Sequence, residues 1–171
     1  QHMEAACEEL EQMLVETRRA IRSLPTQAIN SNSFDIAKTI EQSSLELYKR
    51  SKEILLNDRH IVLFPILSLH LEACALVLED PTLNNAPSFR LSVLVRITLS
   101  AYRLIPLQKI IRGPDHFEVG SVNLDLANAV SELLSRSPQK LYELKLSNLE
   151  SFSYWSKLEQ NARKEYHRIS K

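Results

Sequence analysis

The sequence predicts an all-α protein, on three observations. The 171 residues include two glycines, Gly113 and Gly120, where about a dozen would be usual. Hairpins and phosphate-cradling loops need glycine for positive φ and close backbone approach, so this chain has little use for either. Apolar residues recur at three- and four-residue steps in segment after segment. Serines and prolines fall where those segments start and stop. The expected architecture is a single-domain bundle or orthogonal array of about six to eight helices, spanning 4–171, with a central apolar helix. Gln1-His2-Met3 reads as a vector-derived remnant.

The first helix is predicted over about Glu4–Leu24. Its stripe is Ala6, Leu10, Met13, Leu14, Thr17, Ile21 and Leu24, and Pro25 is its expected stop. Ser33 suits an N-cap for a second helix over about Phe34–Asn57, whose face is Ala37, Ile40, Leu47, Tyr48, Ser51 and Leu55. Ile61–Leu78 is apolar on nearly all sides, the mark of a central helix, with Pro65 in its first turn. Ser88 is the expected cap of a fourth helix over about Phe89–Ile105, which Pro106 should end or kink before a short piece, Leu107–Arg112. Residues 113–122 hold both glycines and read as irregular, with His116–Val122 the one place for a short extended piece. A sixth helix follows over about Leu124–Ser135. Ser137-Pro138 opens a last segment, 138–170, which can project as one long helix or break at the capping box Ser147-Asn148-Leu149-Glu150.

Composition excludes several function classes. Twenty-one basic and 21 acidic residues cancel, so whole-chain charge does not point to nucleic acid or membrane. Ile61–Leu78 carries Pro65, Ser68, His70 and Glu72, which suit a buried core helix and not a membrane span. Two cysteines, Cys7 and Cys74, make a disulfide framework improbable and favour a reducing compartment, nucleus or cytoplasm. No Walker, dinucleotide, EF-hand or Gly-x-Ser-x-Gly pattern occurs. The expectation is a chain that is not an enzyme and uses no cofactor or metal.

Local chemistry is weighed against that background. His70-Leu71-Glu72 contains the His-x-Glu pair of zinc deaminases, but the Pro-Cys-x-x-Cys that completes such a site is missing. Cys74 shares a helix face with His70, yet two ligands do not make a zinc site. His70 and Glu72 therefore read as partly buried polar groups hydrogen-bonded into the core. Asp115-His116-Phe117-Glu118 could hold a weak metal but reads first as a solvated loop.

From Arg90 to Arg112 the chain carries Arg90, Arg96, Arg103, Lys109 and Arg112 and no acidic residue. Arg96 and Arg103 fall nearly together on a helical projection, beside Ser92 and Ser100. Leu91, Leu94, Val95, Ile97, Thr98, Ala101, Tyr102 and Ile105 are expected on the opposite, buried half. In the last segment Leu149, Phe152, Trp155, Leu158, Ala162, Tyr166 and Ile169 make one stripe, and Lys157, Arg163, Lys164, Arg168 and Lys171 make the tail basic. Trp155 either anchors this helix to the core or marks a binding hot spot.

The expected function is a docking or scaffold domain of an intracellular multi-subunit complex. It would hold a helical or extended partner segment in a groove between helices. Arg96, Arg103, Lys109, Arg112, Phe152, Trp155 and Tyr166 are the candidate contact residues, and the C-terminal helix could pair with a second copy. The alternatives are a nucleic-acid-associated subunit using the Arg96/Arg103 face, and an enzyme or small-molecule binder with a pocket near His70.

Overall fold

A computed structural model of the chain describes residues 2–27, 33–55, 63–79, 83, 85–144 and 152–171. Among them are seven helices and no strand. The protein is therefore all-α, as its periodicity and glycine count predict. None of these helices is long and apolar enough to cross a membrane. The chain divides into two compact units, Gln1–Asn85 and Ala86–Lys171.

The first unit holds α1 (His2–Gln27), α2 (Ser33–Leu55) and α3 (Leu63–Leu78). Helix α1 runs on through Pro25 and ends two residues beyond it. Helix α2 packs on both α1 and α3. It is the shared partner, while α3 is the most completely buried: Leu63, Ile66, Leu67, Leu69, Leu71, Ala73, Cys74 and Val77 are all inaccessible. The apolar segment is thus the expected one, but the middle position belongs to α2. Pro65 lies in the first turn of α3, where its missing N–H has no intrahelical partner to lose.

The second unit holds α4 (Pro87–Arg112), α5 (Phe117–Arg136), α6 (Pro138–Tyr142) and α7 (Phe152–Ser170), with α5 packed against the other three. Helix α4 corrects two expectations. It starts two residues earlier than a Ser88 cap would place it, with Ala86 at the N-cap and Pro87 first in the helix. It also passes through Pro106 without ending. Pro106 and Tyr102, one turn before it, are exposed, so the carbonyl that loses its donor lies on the solvent side of the helix.

The segment 113–122 is mostly helix. Gly113, at φ 93°, closes α4, and its N–H bonds the Lys109 carbonyl at 3.0 Å. His116 then caps α5, its Nδ1 accepting from the Glu118 N–H at 3.2 Å. Gly120 serves packing and not a turn: a Cβ there would stand 3.2 Å from Ile169 Cγ2 of α7. The missing side chain lets α7 lie close on α5. The extended piece expected at His116–Val122 does not form, because these residues cap and build α5. Nor does 138–170 project as one helix; α6 ends at Tyr142, and α7 lies along α5. The capping box at 147–150 lies outside the described residues.

An ion pair near the start of α4 ties it to α5. Arg90 donates from Nε and Nη2 to the two carboxylate oxygens of Glu132, each at 2.7 Å, with both side chains mostly buried. The hydrogen bonds from Arg90 hold the Glu132 carboxyl below its ordinary value of 4.5, and the Arg90 guanidinium is raised in return. A carboxyl depressed on folding contributes stability that is complete above its unfolded pKa and fades as pH falls through the lower, folded one. We expect Glu132→Gln to cost about 1–3 kcal/mol at pH 7, the range for charge-assisted bonds. The gap from the parent should close as urea unfolding is repeated at falling pH below about 4.5. A cost that stays constant to pH 2 would assign it to packing.

Candidate functional site

Among its described residues the first unit buries a polar cluster. Glu41 comes from α2, and His70 and Cys74 from one face of α3, a single turn apart; their exposures are 0%, 1% and 0%. Glu41 Oε1 lies 3.1 Å from His70 Nε2 and 3.8 Å from Cys74 Sγ, and Cys74 Sγ lies 3.5 Å from His70 Nε2. On α2, Glu41 falls four residues after Ala37 and seven before Tyr48, inside the apolar stripe. The helix therefore carries a carboxylate into the core, and His70 and Cys74 receive it there.

The geometry decides between two chemistries. In a nucleophile–base–carboxylate triad the imidazole uses its two nitrogens separately, one toward the nucleophile and one toward the acid. Here the carboxylate and the thiol both address Nε2, so a charge-relay arrangement is not what these residues form. The three candidate donor atoms lie within 4.8 Å of one another. Glu72, expected to be partly buried and tied into the core with His70, is exposed instead, because it sits two residues along the helix and so on another face. His70 is buried as expected, and the acid beside it comes from another helix. An isolated glutamate in the middle of an apolar stripe was the signal for it.

The basic face of α4 is largely engaged within the chain. The buried side of this helix is Val93, Leu94, Ile97, Thr98, Ser100, Ala101, Leu104, Leu107 and Gln108. Tyr102 is exposed and Ser100 buried, so the buried face is rotated from the expected one toward the arginine stripe. Arg96 and Arg103 are consequently half-buried. The Arg96 guanidinium lies 5.9 Å from the centre of the Phe89 ring, a cation–π contact. Arg112 pairs with Glu118 at 3.3 Å. The charge of Lys109 helps to lower the Glu165 carboxyl, after the larger effect of the Arg168 hydrogen bond.

On α7 the contact candidates separate. Trp155 is fully buried and stacks edge-on with Tyr154 at 5.3 Å, so it anchors the helix and offers no surface. Phe152 is exposed, and Tyr166 is half-buried beside His167. The basic tail is also partly spent. Arg163 binds Glu159 at 2.6 Å and Asn128 Oδ1 of α5 at 3.2 Å. Arg168 gathers Asp115, the Pro114 carbonyl at 3.3 Å and Glu165 at 3.0 Å. These bonds, with the His116 cap and the Arg112–Glu118 pair, leave Asp115-His116-Phe117-Glu118 as a fastened turn in place of a metal-holding loop. Apolar groups also remain outside: Tyr102, Ile110, Ile111 and Phe117 are exposed at the second half of α4 and the start of α5.

No known protein family, curated protein or solved structure matches the chain.

Proposed function

We propose that the protein is a non-catalytic docking domain of an intracellular complex, which holds an amphipathic helix of a partner against the second unit. The observation that carries this reading is the apolar line on the solvent side of α4. Tyr102, Pro106 and Ile110 follow one another at four-residue steps, all exposed, and Ile110 and Phe117 are 75% and 70% accessible. Helical residues four apart share a face, so the three form a continuous strip. Covering a side chain such as Ile110 is worth about 1.5–3 kcal/mol, enough for a few of them to anchor a helix.

Ile110→Asp tests it. Because Ile110 is exposed, the variant should keep the parent's unfolding midpoint. Its retention of the partner captured by the full chain should fall at least about tenfold, as for a central contact. Binding through an apolar strip should also change little between low and high salt, in contrast to phosphate contacts. A partner captured equally by parent and variant would remove this face from consideration.

A further inference from the structure

We propose that Glu41, His70 and Cys74 form a divalent transition-metal site of the zinc class, bridging α2 and α3. This goes beyond docking and stands in the other unit of the chain. Three independent features carry it: distance, charge and donor type.

Zinc holds sulfur at about 2.3 Å and nitrogen or oxygen at about 2.0–2.2 Å, so donors at tetrahedral angles stand about 3.3–3.6 Å apart. The three separations here are 3.1, 3.5 and 3.8 Å. They match the corners of one tetrahedral face within a few tenths of an ångström. A cation placed over the triangle reaches all three donors with only small side-chain adjustments. His70 and Cys74 keep their relative placement through α3, being one turn apart on the same helix.

The charges close as well. A metal-bound cysteine is a thiolate and a metal-bound glutamate a carboxylate, while the imidazole stays neutral. Two negative charges at a site with no solvent exposure are strongly unfavourable alone. A doubly charged cation offsets both. The donors select among cations: thiolate and imidazole suit zinc, while magnesium and calcium require oxygen shells. Three protein ligands leave the fourth position to a water or another small ligand. Binding displaces the thiol proton, so affinity falls with pH. Because the donors are buried, uptake and release must wait for local opening of the first unit and are slow.

The test is titration of the full chain with Co²⁺ under reducing conditions, including refolding in its presence to bypass slow entry. One Co²⁺ per chain is expected, with a near-ultraviolet thiolate-to-cobalt band that Zn²⁺ abolishes by displacement. Either metal should raise the unfolding midpoint. The band should persist in Cys7→Ser, where Cys74 is the only thiol, and in Glu72→Gln, whose carboxylate is exposed. It should vanish in Cys74→Ser, and Glu41→Gln should weaken Co²⁺ binding at least about tenfold. The wild-type and Cys7→Ser readings do not depend on whether a core variant folds. Absence of a thiolate band in both, or its loss in Cys7→Ser, overturns the proposal.

Discussion

Trp155→Ala is expected to lower stability by about 3–5 kcal/mol, the cost of emptying a fully buried aromatic site. Trp155 has no solvent exposure and belongs to the helix that packs along α5. Only Trp155 and Ala162 are buried on α7, and the indole is by far the larger of the two. Removing it leaves a cavity and deprives Tyr154 of its edge-on partner. Trp155→Phe should cost far less. The indole N–H meets no acceptor among the described residues, so phenylalanine removes a buried, unsatisfied donor together with part of the ring. Urea unfolding followed by helical circular dichroism measures both variants. If alanine and phenylalanine cost the same, the indole's packing is not what holds α7 down.

The second large effect lies in the other unit. Glu41→Ala takes the carboxylate from His70 and Cys74 in a place that water does not reach. Removing one member of a buried charged or hydrogen-bonded set costs about 3–5 kcal/mol, because the others keep their desolvation penalty without the compensating bond. Glu72→Ala, an exposed glutamate on the same helix as His70, should change stability by less than about 0.5 kcal/mol. Replacing the pair together, as Glu41→Met with His70→Leu, should recover much of the loss, since matched apolar groups carry no desolvation penalty. A double variant no better than Glu41→Ala would mean the cluster is held by more than polar compensation.

Some of this was legible in the sequence. The helices are, because periodicity and glycine scarcity are local properties: α3 is apolar all round and can hardly be anything but buried. The positions of Pro65 and Pro138 follow from the first-turn rule alone. What could not be read depends on which side of a helix meets its neighbour. Pro106 does not end α4, and it stands on the solvent side with Tyr102, a placement that no local pattern gives. Gly120 reads as a turn former until Ile169 is found above it. Glu41 and His70 lie 29 residues apart, and no local pattern pairs them. The arginine stripe was placed on the correct helix, but its surroundings were misjudged by the rotation that buries Ser100.

The division of the chain at Asn85 and Ala86 also gives the protein an internal optical label. Its one tryptophan belongs to the second unit. Indole emission excited at the red edge therefore reports on that unit alone, starting blue-shifted from a dry site and moving red as water enters. The helical signal sums both units. Wherever the two curves part along a temperature ramp, the difference is the melting of the first unit, seen without cutting the chain.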